Sequence, residues 1–166
     1  MKSEKNYILS ADVAEKKLKR MAYEILENNI GENHVILAGI QHNGYVIAQK
    51  LLELLKSISD ISFELISVSM DKKHPSEINI ESAPDFNDKV VILVDDVTNS
   101  GKTLMYALKP FLQQYPKKIQ ILVMVERSHK KYPVQPDYVG ISLTSTLLEH
   151  IYVEVEGDRI TGAYLE

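Results

Sequence analysis

Cysteine is absent from this 166-residue chain. That excludes a disulfide framework, a thiolate nucleophile and sulfur ligation of a metal. A basic surplus is missing too. The 19 Lys and Arg residues face 23 Asp and Glu, for a formal net charge of −4. The chain as a whole has no nucleic-acid footprint, so any basic surface must be local. No apolar run approaches the roughly 20 residues of a membrane span, and the opening Met1-Lys2-Ser3-Glu4-Lys5 lacks the hydrophobic stretch of a secretory signal. The expectation is a soluble cytoplasmic protein. Internal repeats, low-complexity tracts and linkers are also lacking. A hydrophobic content of 45% at this length suits one buried core, and the reading is a single domain over residues 1–166.

Periodicity supplies the elements. Ala14, Leu18, Met21, Ile25 and Leu26 recur at helical spacing, with Ser10 placed to cap and Gly31 to stop. His34 to Ile40 is a short apolar run that predicts a buried strand. Ile47, Leu51, Leu54 and Leu55 mark a second helix. Ile61 to Val68 suits a strand, and the polar stretch from Met70 to Asp88, with Pro75 and Pro84, predicts a long loop of the kind that serves as a lid. Val90 to Val94 is apolar at every position, which implies burial on both faces and hence a central parallel strand. A helix from about Thr103 to Gln114, strands at Ile119 to Val125 and Tyr138 to Ile141, and a terminal hairpin around Gly157-Asp158 complete the order. Repeated βα units give an α/β fold, a mostly parallel sheet flanked by helices.

Ligands of such sheets bind at the carboxyl ends of the strands. Asp95 and Asp96 follow the best strand and lead into Val97-Thr98-Asn99-Ser100-Gly101-Lys102-Thr103, which opens a helix and favours an anion there. A nucleotide-triphosphate loop of the Walker type requires a glycine five places before Gly101, where Asp96 stands, so that reading is rejected. A plain capped corner leaves two acids at a buried strand end unexplained. A ribose 5-phosphate site uses every residue: the acids accept hydrogen bonds from two vicinal hydroxyls and the loop holds the phosphate. Gln41-His42-Asn43-Gly44, between a strand and a helix, reads either as a second anion loop or as an ordinary turn closed by Gly44.

The run Val91 to Thr103 resembles the phosphoribosyl-diphosphate signature of type I phosphoribosyltransferases, and most of the chain is similar to the branch of bifunctional pyrimidine-operon attenuators with uracil phosphoribosyltransferase activity. Ile8 to Leu26, Ile36 to Ile40, and Val125 to His129 through Pro136 to Gly140 carry the likeness beyond the signature.

That resemblance implies the type I phosphoribosyltransferase fold with a small hood over the base. It implies transfer of a phosphoribosyl group to a nucleobase with release of pyrophosphate, and assembly as a dimer or tetramer. Asp95 and Asp96 become the catalytic acids on the ribose, and Val97 to Thr103 the grip on phosphoribosyl diphosphate. Gln41, His42, Asn43 and Gly44 become the pyrophosphate loop, and Glu126, Arg127, Tyr138 and Val139 the surroundings of the base. Mg²⁺ is the implied cofactor, carried on the diphosphate with no direct protein ligand.

The departures are informative. Purine-specific members have an acid where Asn99 stands and a lysine where Glu126 stands, so uracil is favoured over a 6-oxopurine. The attenuators have an arginine in place of Asn43, and their mobile loop is shortened here to a stretch holding Asp71-Lys72-Lys73-His74. The alternative function is a nucleotide-sensing, RNA-binding regulator with little turnover. Its basic face would comprise Lys19 and Arg20 with Arg127 and His129, beside Lys16, Lys17, Lys130 and Lys131.

Overall fold

The computed structural model describes residues 5–71, 73–144 and 149–166. Its centre is a six-stranded sheet in the order β4-β3-β2-β5-β6-β7. The strands are β2 (His34–Ile40), β3 (Ser62–Met70), β4 (Ile78–Ile80), β5 (Val90–Thr98), β6 (Lys118–Arg127) and β7 (Tyr138–Leu143). β4 runs antiparallel to β3, and every other neighbouring pair is parallel.

The uniform hydrophobicity of β5 has a direct cause. Val90, Ile92 and Val94 point into one core, and Val91 and Leu93 into another. The first core packs against α1 (Ala11–Asn28) and α2 (Asn43–Ile58). The second is covered by the short helices α3 (Lys102–Ala107) and α4 (Lys109–Leu112), and by Phe86, whose ring meets Phe111 edge-on at 4.8 Å.

A separate three-stranded antiparallel sheet, β1-β9-β8, joins β1 (Asn6–Ser10) to the terminal hairpin β8 (Ile151–Glu156) and β9 (Arg159–Leu165). Asn6 pairs with Leu165 and Ser10 with Gly162, so the hood is made from both ends of the described chain. Lys5 bonds Glu154, and the Tyr7 hydroxyl donates to the same carboxylate at 3.0 Å, which ties β1 across β9 to β8.

Several expectations are corrected. The predicted helix over 103–114 is two, because Pro110 has no N–H and its ring excludes a continuous turn. The predicted loop from Met70 to Asp88 contains β4, which returns on β3 as an edge strand. Strand β5 does not stop at the acids. It continues to Thr98, because Val97 and Thr98 still pair with Val125 and Glu126 of β6. Ser10 caps α1 as read, accepting from Val13 N at 3.4 Å.

Candidate functional site

At the carboxyl ends of β5 and β2, beneath the hood, lies a cleft of about 330 Å³. Asn43, the whole run Asp95 to Leu104, and Ile151, Tyr152 and Val153 of β8 line it. The structure therefore brings together both acids and all seven residues expected to grip the phosphate.

Asp95 is 3% exposed, and its Oδ1 accepts from Asp96 N at 2.8 Å. Asp96 Oδ1 accepts from Val97 N at 2.8 Å, and Asp96 Oδ2 accepts from Asn43 Nδ2 at 3.0 Å. Asp96 is thus held by a backbone N–H and a side-chain amide.

The phosphate loop turns at Gly101, whose φ of +84° is one that glycine adopts readily and other residues resist. Ser100 Oγ accepts from Lys102 N at 3.2 Å. Ser100 O accepts from both Lys131 N and Tyr132 N, at 2.9 and 3.0 Å, so the segment after β6 clasps the loop from outside. Thr98 Oγ1 and Asn99 Oδ1 are buried without a hydrogen-bond partner among the described residues. An unpartnered buried hydroxyl facing a cleft of hydroxyls and backbone N–H groups suits a phosphate.

The Gln41–Gly44 loop is split in its roles. The Gln41–His42 peptide bond is cis. Gln41 Nε2 donates to Ser67 Oγ at 2.6 Å, and His42 stands exposed at the start of α2. Gly44 is pressed on β5: a Cβ there would lie 2.5 Å from Val94 O, so only glycine permits this approach. Asn43, expected to meet pyrophosphate, spends its amide on Asp96 and on Val153 O, each at 3.0 Å.

Two of the four residues expected around the base are elsewhere. Tyr138 begins β7 opposite Leu122, level with Val94 of β5, and is fully buried; its hydroxyl donates to Gln120 Oε1 at 2.9 Å and accepts from Asn29 Nδ2 at 3.4 Å. Burial pushes that hydroxyl up to about 12. Val139 packs its side chain into the second core, and its carbonyl accepts from Arg20. Neither lines the cleft, although Val139 is level with Val123 and so with Asp95: β7 lies two strands from β5, and the two side chains turn into the two cores. Glu126 is level with Thr98 and forms a half-sequestered ion pair with Lys130 at 2.6 Å. Arg127, 6% exposed, donates to Glu149 O and lines a second pocket of about 170 Å³ with Asn99, Ser100, His129, Lys131 and His150.

The basic face on α1 is partly committed. Arg20 pairs with Glu24 at 2.5 Å and caps Val139 O and Gly140 O at 2.9 and 3.0 Å, while Lys19 lies 3.9 Å from Glu15. On the turn from β3 to β4, Lys73 and His74 are exposed and Lys72 lies outside the described residues. Sequence reasoning missed Ile151, Tyr152 and Val153. Their alternation marked a hairpin, and nothing in it marked which face would close over a ligand.

Residues 6–156 match the model of the phosphoribosyl transferase domain. The bifunctional protein PyrR of Enterococcus faecalis is 34% identical over 94% of this chain and 95% of its own length. That of Clostridium acetobutylicum is 32% identical over 90% of each. Among solved structures, a hypoxanthine-guanine phosphoribosyltransferase from Bacillus anthracis superposes with a TM-score of 0.76 at 18% identity, covering 95% of this chain and 96% of that one, a likeness of fold alone.

Proposed function

From the premise that this chain belongs to the phosphoribosyltransferase family and is an enzyme of that type, we propose that it transfers the phosphoribosyl group of phosphoribosyl diphosphate to uracil rather than to a 6-oxopurine. The observation that carries the reading is the cleft itself: Asp95 and Asp96 meet the Thr98 to Thr103 loop under Ile151 to Val153. A nitrogen of the base attacks C1 of the ribose as the bond from C1 to the diphosphate oxygen breaks; the electron pair leaves on pyrophosphate, and the proton of that nitrogen is lost to solvent. The two carboxylates hold the ribose hydroxyls and stabilise positive charge as it develops at C1. The loop fixes the 5-phosphate and so the distance between base and C1.

Base preference follows from two side chains. Asn99 is an amide and cannot act as a general base toward a purine nitrogen. Glu126 is an acid held by Lys130, where a purine carbonyl requires a donor. The fit to Mg²⁺ is indirect. Both oxygens of Asp96 already accept hydrogen bonds, and among the described residues no cluster of three His, Asp or Glu could hold a metal. Mg²⁺ would arrive with the diphosphate and would supply charge neutralisation of the leaving group, with no direct ligand from the chain. Assembly into a dimer or tetramer in the cytoplasm belongs to the same proposal, and a monomer in sedimentation at micromolar concentration would count against that part.

The test incubates the protein with phosphoribosyl diphosphate, Mg²⁺ and each nucleobase in turn and measures pyrophosphate. Release with uracil is expected. Release with hypoxanthine or guanine alone would reverse the preference, and no release with any base would remove the uracil reading.

A second reading has one observation in its favour: the relatives are named bifunctional. Arg127 and Lys131 bring two cationic groups to one pocket beside His129 and His150, a surface that suits an RNA phosphate. RNA binding should then weaken on Lys131→Glu and fall steeply with salt. Arg20→Glu is the poorer probe, because Arg20 holds β7.

A further inference from the structure

Asn43 opens α2 and donates from one nitrogen to acceptors in two different sheets. Asp96 Oδ2 belongs to β5 of the six-stranded sheet, and Val153 O to β8 of the hood; both lie at 3.0 Å. A carboxamide nitrogen carries two protons, so both are used. The first turn of α2 cannot move back to serve anything else. Its Gly44 is so close to β5 that an added Cβ would stand 2.5 Å from Val94 O and 2.9 Å from Asp95 Cα. Asp96 has its other oxygen on Val97 N at 2.8 Å. Asn43 is therefore the one side chain, among the described residues, that donates to Asp96, and it fixes the carboxylate from the side opposite the backbone.

We infer that Asn43 is a positioning residue that works through Asp96: it aims this carboxylate at the ribose and latches strand β8 of the hood over the cleft, and it does not serve the diphosphate. The inference rests on the ribose-phosphate reading of the site. The geometry carries it because the side chain reaches inward. The hood and the ribose acid then share one hydrogen-bonded joint, so closure over the cleft and alignment of Asp96 are a single event.

The experiment titrates the wild type, Asn43→Ala and Asn43→Asp calorimetrically with three ligands: phosphoribosyl diphosphate with Mg²⁺, ribose 5-phosphate, and pyrophosphate with Mg²⁺. Asn43→Ala should weaken the two ribose ligands by the same factor, about tenfold for one charge-assisted hydrogen bond, and leave pyrophosphate unchanged. Asn43→Asp keeps the size of the side chain, and circular dichroism of both variants separates a loss of binding from a loss of fold. Asn43→Asp replaces the donors with a carboxylate facing Asp96. Its loss should be greater at neutral pH and should shrink as pH falls, when the paired acids share a proton that bridges them again. A side chain needed only for packing would give no such pH dependence. The inference fails if Asn43→Ala weakens phosphoribosyl diphosphate and pyrophosphate while ribose 5-phosphate binds as before, or if the loss in Asn43→Asp does not change with pH. A wild type that binds neither ribose ligand would remove the underlying reading of the site and the inference with it. Variants that bind as the wild type does would remove the inference alone.

Discussion

Asp95 and Asp96 are adjacent acids on one strand, and hydroxyl donors from a ribose would offset part of the cost of setting them there. Replacing both by Asn should weaken phosphoribosyl diphosphate strongly, since each charge-assisted bond to a ribose hydroxyl is worth about 1.5–3 kcal/mol. Calorimetry on the double variant checks this, and unchanged affinity would return the acids to a merely structural corner. The fold should survive. Removing the charges relieves repulsion, but an amide at position 96 must turn its N–H toward either Val97 N or Asn43 Nδ2, so the net stability change should stay within about 1 kcal/mol. Tyr138 gives a different residue-scale test. Its hydroxyl has a folded value of about 12, above the ordinary 10, so its contribution to stability is whole below 10 and is lost as pH rises toward 12. Absorbance titration should show one tyrosine ionising after the rest, with unfolding over that interval. A tyrosine population titrating together near 10 would contradict the buried position.

Among the elements, β1 is the one whose attachment is easiest to perturb. Glu154 receives Lys5 and Tyr7 from across the hood, and the hydrogen bond from Lys5, followed by that from Tyr7, holds its carboxyl below the usual carboxylate range. A lowered folded value means the tie is present above the ordinary carboxylate range and is lost as pH falls through the folded value. Hydrogen exchange of β1 amides should therefore accelerate at acid pH in the wild type, and in Glu154→Gln at neutral pH. Equal protection in both would show that the strand ladder alone holds β1. The elements also differ in how readable they were. β2, β5 and β6 were legible because burial on both faces leaves no polar position to confuse the pattern. β4 was not, because an edge strand of three residues has no period to detect. β1 was hidden by its mixed burial and by a partner strand at the other end of the sequence. The acids and the phosphate loop could be placed from local order alone. The base side could not: Tyr138 and Val139 stand level with Val94 and Asp95, and only the packing shows that their side chains turn into the two cores.

For the molecule as a whole, the two cores are unequal in what covers them. One side has two long helices and the hood; the other depends on α3, α4 and the Phe86–Phe111 contact. Phe111→Ala should cost about 3–5 kcal/mol, a large share of the roughly 5–15 kcal/mol that holds a domain together. Urea denaturation should show the midpoint move sharply with little change in slope, and a shift under 1 kcal/mol would mean the thin layer collapses to fill the space. The pairing of Asn6 with Leu165 has a temporal consequence. During synthesis β1 leaves the ribosome well ahead of β9, and at ordinary elongation rates it waits roughly 10–30 s for its partner. The strand that opens the chain's small sheet is therefore exposed while its partner is still untranslated, and the hood is the last layer to close.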